Sequence, residues 1–186
     1  MSDTRITESA SIGPPPDLPD GTYDVDPEVS QLRFRAKAFA LAWVRGTMPV
    51  ISGSVRIRDG RVSGAGEIAA DKVTTGLAPR DWHLRSSHYL GTARHPRIAV
   101  SVDDTGLDAG HFPCTVVVRD TPATVPLDVR AVQIHDGILR IECHLVLDRT
   151  PFSMLPPLAG VSRRVDVELT LVATKRTPER AAASEN

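Results

Sequence analysis

Four residues within six positions, Arg80, Asp81, His83 and Arg85, gather two guanidinium groups, a carboxylate and an imidazole. A guanidinium fork matches paired phosphate or carboxylate oxygens, so Arg80 and Arg85 suit a phosphate or quinone head group. The competing reading is structural: Asp81 caps a local helix and pairs with an arginine, which fixes the segment in place. For Asp81 the structural role is the preferred expectation; Arg80 and Arg85 stay open between the two. Asp81, His83 or Tyr89 could alternatively exchange protons with a bound metabolite, as in a cyclase or isomerase.

Other reactive residues in the chain fall short of a catalytic pattern. His83, His88 and His95 are spaced by five and seven residues, which fits no compact metal-ligand motif, and no Cys or Glu nearby completes a set. Ser86 and Ser87 stand beside His88, but no strand-Gly-x-Ser-x-Gly-helix elbow surrounds them. Neither a catalytic residue nor a metal or other cofactor is therefore assigned. Cys114 and Cys143 lie in strand-like runs and are expected as buried free thiols.

The elements that must position these groups follow a period of two. Val55 and Ile57 alternate with Arg56 and Arg58. Leu139, Ile141, Cys143, Leu145 and Leu147 alternate with Arg140, Glu142, His144 and Asp148, and Val165, Val167, Leu169 and Leu171 with Arg164, Asp166, Glu168 and Thr170. Such alternation marks strands with one apolar face. Asp59-Gly60 and Asp136-Gly137 supply primed hairpin turns, and Asp104-Thr105-Gly106 and Asp120-Thr121-Pro122 read as further turns. Short turns make neighbouring strands antiparallel. Merging Thr47 to Val55 into one run leaves about eight strands. Ala36 to Val44 reads as a helical turn or a strand continuation, and Pro79 to Leu90 as a short helix or ordered loop.

Eight strands with one apolar stripe each bury it by closing into a barrel or by stacking as a sandwich. With only eight aromatic residues (Phe 4, Tyr 2, Trp 2), the interior is expected either hollow enough for an apolar ligand or filled with branched aliphatics.

The chain has 186 residues, enough for one domain with a sizeable core. Lys plus Arg number 22 against 23 Asp plus Glu, without a like-charged block, which argues against nucleic acid as a partner. Residues 1–21, with Pro14, Pro15, Pro16 and Pro19, are expected as a flexible arm, residues 22–175 as the domain and 176–186 as a frayed tail. The N-terminal stretch lacks a basic and apolar leader pattern, and no apolar run is long enough to span a bilayer, so a cytoplasmic protein without a transmembrane segment is expected.

Tyr23-Asp24-Val25-Asp26-Pro27-Glu28-Val29-Ser30-Gln31-Leu32-Arg33-Phe34 resembles the opening of the YceI-like family, lipocalin-like barrels associated with polyisoprenoids and related lipids. Gly46-Thr47 followed by Ser52-Gly53 is similar to that family's next hairpin. The strongest match is Thr74-Thr75-Gly76, then Arg80 to Ser86, then Tyr89-Leu90 and His95-Pro96-Arg97-Ile98, which looks like its central motif. The resemblance runs from Thr22 to Thr174 and weakens after His111.

It implies an all-β, antiparallel lipocalin-like barrel with a short helical insert that binds a polyisoprenoid, quinone or related lipid for storage or transport. Phe34 and Leu145 would then contact the tail and Arg80, His83 or Arg85 the polar head, with Tyr89 as a further ligand-binding residue. A partner other than this apolar small molecule is not implied; a homodimer is left open.

Overall fold

In the computed structural model of the chain, the described residues are 18–38, 42–109, 111–154 and 161–177. Most of the arm and tail expected at the two ends falls outside them, as does the middle of the Ala36–Val44 stretch. Nine strands form: β1 (Gly21–Val25), β2 (Gln31–Ala38), β3 (Ala42–Arg58), β4 (Arg61–Ala69), β5 (Arg97–Gly106), β6 (Phe112–Val118), β7 (Thr121–His135), β8 (Ile138–Asp148) and β9 (Val161–Lys175). An α-helix, α1 (Ala78–Arg85), lies in the connection from β4 to β5 and carries Pro79 in its first turn, where a missing amide proton costs nothing. None of the described helices is long and apolar enough to cross a membrane.

Every strand pairing is antiparallel, and the ring closes because β3 pairs with β4 as well as with β2, while β9 pairs with both β2 and β1. β1 and β2 together act as one barrel strand interrupted at residues 26–30, so the nine segments make an eight-stranded closed barrel rather than a sandwich. Closure satisfies most of the backbone groups that an open sheet would leave on its edges, the second half of β7 excepted.

Two turns follow from the sequence. Asp59-Gly60 (φ +49° and +69°) and Asp136-Gly137 (φ +49° and +77°) have positive φ at both central residues, the geometry that matches strand twist in two-residue hairpins. Two expectations are corrected. The β6–β7 turn falls on Arg119-Asp120 (φ +53° and +60°), one residue before the expected place, because Thr121 and Pro122 already pair with Val118 and Val117. Asp104-Thr105-Gly106 remains in β5, since Thr105 and Gly106 pair with Val62 and Arg61.

The break between β1 and β2 is bridged by a side chain. Ser30 is buried, and its Oγ donates to the Val172 carbonyl at 3.3 Å and accepts from the Val172 amide at 3.0 Å, replacing a ladder pair that the missing strand residues cannot supply. Leu18, just before β1, packs on Tyr23, Val55, Ile57, Leu139 and Ala173, and the Tyr23 hydroxyl donates to the Pro19 carbonyl at 2.8 Å.

The inward stripes make two cores. The larger one, including Leu32, Val73, Leu90, Phe112, Val116, Val118, Leu145 and Phe152, fills the end of the barrel that α1 overlies. The smaller one, around Tyr23, Ile57 and Leu139, sits at the hairpin end.

Replacing Ser30 with Ala should cost about 1–2 kcal/mol, because it leaves the Val172 amide without its partner, while the Val172 carbonyl keeps its bond from the Asp26 amide at 2.8 Å. Urea unfolding checks this; an unchanged midpoint would mean that water replaces the hydroxyl there at no cost.

Candidate ligand cavity

Between the two cores the barrel is hollow. An interior cavity of ≈ 590 Å³ is walled by Val25, Val55, Val62, Val100, Val102, Val129, Val132, Ile141 and Leu171, among others. Strand register shows why it exists. Gly53 and Gly66 are paired with each other, Gly64 is paired with Val55 and Val102, and Gly66 also with Val100; all three glycines therefore point inward. Three side chains that would fill the space over β3 and β4 are missing from the wall.

The same glycines let those strands approach closely. A Cβ on Gly66 would stand 2.9 Å from the Ser52 carbonyl oxygen, one on Gly64 3.1 Å from that of Ser54, and one on Gly53 3.1 Å from Val25 Cγ2. Larger residues at these sites would both occupy the cavity and push the two strands apart.

The floor of the cavity, formed by Ile68, Phe112, Leu127, Cys143 and Leu169, is the top of the larger core. Its mouth is lateral. β6 begins only at Phe112, opposite Leu127, and from Asp128 onward β7 pairs with β8 instead. Among the described residues no strand lies between the end of β5 and the second half of β7, and Leu107, Asp108, Arg130 and Gln133 border the cavity there. A β-bulge between Val129 and Ala131 inserts Arg130 at this rim.

None of the six residues expected from the sequence to hold a ligand borders this cavity. Phe34 and Leu145 do face inward, but within the packed core: Phe34 lies against Gly46, where a Cβ would come within 2.3 Å of its ring, and Leu145 is buried opposite Val167. Gly46-Thr47 and Ser52-Gly53 both lie within the long β3, the first pair opposite β2 and the second opposite β4.

Arg80, His83, Arg85 and Tyr89 cluster at the other end of the barrel, in and after α1, where their bonds hold the insert. Asp81 is buried and accepts from the Thr75 hydroxyl (2.5 Å), the Thr75 amide (2.7 Å) and the Thr74 hydroxyl (3.0 Å). It does not cap the helix, whose N-cap is Leu77 without a side-chain bond, and among the described residues it makes no hydrogen bond to an arginine, although the charge of Arg85 acts on it; Asp81 fastens instead the loop before α1.

Arg80 adds bonds to the hydroxyl (2.7 Å) and carbonyl (3.0 Å) of Thr75, and Arg85 donates to the Val73 carbonyl at 2.7 Å. Thr74 in turn exchanges backbone bonds with Thr47 on β3, so the chain from Val73 to Arg85 is tied to the barrel edge. His83 meets the Tyr89 ring edge-on at 4.9 Å, and the Arg149 guanidinium lies 5.9 Å from the same ring. His95 faces Asp120 at 3.1 Å, and His88 is exposed.

The Thr75 hydroxyl, aided by the Thr75 amide, the Thr74 hydroxyl and the charge of Arg85, holds the Asp81 carboxyl below the usual carboxylate range against the opposing effect of burial. Because the folded-state value is depressed, the stabilisation is complete above the unfolded value and is lost as pH falls through the folded one. Asp81→Asn should therefore destabilise by about 1–3 kcal/mol at neutral pH, with the gap to the wild type narrowing in strong acid. Urea midpoints at pH 7 and in acid test this, and a gap independent of pH would mean that the charge of Asp81 is irrelevant.

Both cysteines are buried free thiols. Burial pushes Cys143, whose side chain reaches the cavity floor, up to about 12, with Cys114 adding to the effect, and Cys114 itself up to about 11. Iodoacetamide at mildly alkaline pH should label native Cys143 at least about a hundredfold more slowly than the urea-unfolded chain. Mass-spectrometric labelling rates decide it; equal rates would place the thiol in water.

The chain belongs to the YceI-like domain family, whose sequence profile matches residues 23–173. Its fold is similar to that of Burkholderia cenocepacia BcnA (TM-score 0.72, 16% identity, covering 81% of this chain and 99% of that one). It is also similar to a polyisoprenoid binding domain from Saccharophagus degradans implicated in plant cell wall breakdown (TM-score 0.65, 19% identity, 83% and 98% covered). A Campylobacter jejuni YCEI protein gives a TM-score of 0.53 at 13% identity, with 74% of this chain and 88% of that one covered. No curated protein matches the sequence.

The cavity wall is the part that sequence reasoning missed. Its signal was present: Val62-Ser63-Gly64-Ala65-Gly66-Glu67-Ile68 keeps the alternation of a strand while placing glycine at two successive inward positions. Glycine in a strand interior marks a close backbone approach or a missing side chain.

Proposed function

We propose that this protein binds an apolar small molecule inside its barrel, as a carrier or store rather than as a catalyst. The observation that carries the reading is the apolar cavity of ≈ 590 Å³ above an otherwise well-packed core. An interior of this size lies in the range of small-molecule sites, and a closed eight-stranded barrel is wide enough to hold one ligand. Membership of the YceI-like family and the polyisoprenoid-binding description of the Saccharophagus degradans domain support an isoprenoid, quinone or related lipid as the cargo.

The groups that could have exchanged protons with a substrate are engaged elsewhere: Asp81 by three donors in the insert, and His83 and Tyr89 with one another. None of them reaches the cavity.

Val102 stands opposite the inward glycine Gly64, so Val102→Phe should place a ring in the empty space. Uptake of a fluorescent apolar probe should fall by at least about tenfold, while thermal stability stays level or rises, since the new ring fills a void instead of displacing neighbours. Native mass spectrometry of gently purified wild-type protein should show a bound apolar adduct that the variant lacks. No adduct, together with no probe uptake by the wild type, would refute the reading.

A further inference from the structure

We infer that the cavity is built for a single-chain amphiphile of about 15–20 carbons whose anionic head stays at the lateral mouth against Arg130. The inference rests on the apolar-ligand reading and adds a chain-length ceiling, an orientation and a head-group charge.

The ceiling comes from volume. An apolar cavity of about 150 Å³ takes the six carbons of benzene, so ≈ 590 Å³ accommodates about 20–25 non-hydrogen atoms. The cavity cannot lengthen toward α1, because its floor residues Phe112, Leu127 and Cys143 belong to the packed core in which Val73, Cys114 and Phe152 are fully buried. A chain of eight isoprene units has about twice as many carbons as this space admits.

The orientation comes from the distribution of polar groups. The inward side chains of the deep wall are apolar, with Ser52, Ser54, Ser63 and Ser101 bordering it at positions that alternate with the inward ones, whereas the charged residues that border the cavity, apart from Glu67, lie at the mouth. Glu67 is paired with Arg97 at 2.7 Å on the outer face. A tail therefore goes in first and a polar head remains at the rim, at the opposite end of the barrel from Arg80, His83 and Arg85.

The charge comes from Arg130. It is exposed, the bulge between Val129 and Ala131 inserts it beside the gap in the wall, and among the described residues it has neither an ion pair nor a side-chain hydrogen bond. A guanidinium is weakly hydrated and carries a rigid fork of donors, so it gains more than most cations from meeting a carboxylate or phosphate. Asp108 shares the mouth. As a small, strongly hydrated carboxylate in a turn it would resist an anion, so its removal should not abolish the preference.

The test is a set of titrations below micelle-forming concentrations, with tail and head varied separately. Palmitate should bind at one per protein and at least about tenfold more tightly than hexadecanol, which has the same chain without the charge. Arg130→Gln should remove that preference and leave hexadecanol unchanged, while Asp108→Asn keeps it. Farnesol should bind and octaprenol should not compete with it.

Equal affinity for palmitate and hexadecanol, or a preference that survives Arg130→Gln, would overturn the head-group assignment. Octaprenol binding as tightly as farnesol would overturn the length ceiling. If no probe of any kind binds, the apolar-ligand reading itself falls, an outcome distinct from either of these.

Discussion

Closure of the sheet is the constraint on which everything else in this molecule depends. Once β3 meets both β2 and β4, and β9 meets both β1 and β2, the inward residues of all strands share one space of limited width. What occupies that space is then decided position by position. Phe112, Leu145 and Phe152 fill one half, and Gly53, Gly64 and Gly66 leave the other half open. The cavity is thus a local subtraction from a core, and not a property of barrels in general.

The insert between β4 and β5 serves this arrangement from outside. Its conspicuous charges are engaged within the insert, Asp81 by Thr74 and Thr75, Arg80 by Thr75, and one terminal nitrogen of Arg85 by the Val73 carbonyl, while the buried Arg85 Nε has no hydrogen-bond partner among the described residues. Holding Val73 and Leu90 in the larger core plugs the end of the barrel beneath α1. Plugging one end is what makes the cavity one-sided, with a floor in mid-barrel and a mouth beside β7.

Much of this architecture was legible in the residues. The two-residue alternation of β8 and β9, the Asp-Gly turns and Pro79 at the start of α1 each have a local cause that survives folding unchanged. The charged motif from Arg80 to Arg85 was legible as a unit but not in its target, because a guanidinium beside a carboxylate reads the same whether it faces a ligand or the next loop.

Phe34 and Leu145 were identifiable as inward-facing, but their depth in the barrel depends on register, which alternation alone does not give. The hollow itself was legible only at Gly64 and Gly66. The rest of the cavity arises from pairing across strands distant in sequence, such as Val102 of β5 against Gly64 of β4.

The exchange of partners along β7 has one more consequence. From Asp128 to His135 its second edge, the one turned toward the mouth, has no ladder partner among the described residues. An unpaired edge of that length is a template on which the strand of another molecule could add, with amyloid-like association as its extreme form. The bulge at Arg130 interrupts the regular spacing of amides and carbonyls within this stretch, and the charge it inserts repels a like copy. The irregularity that borders the entrance is thereby also a guard against aggregation, which allows a barrel to keep an opening in its side without becoming adhesive.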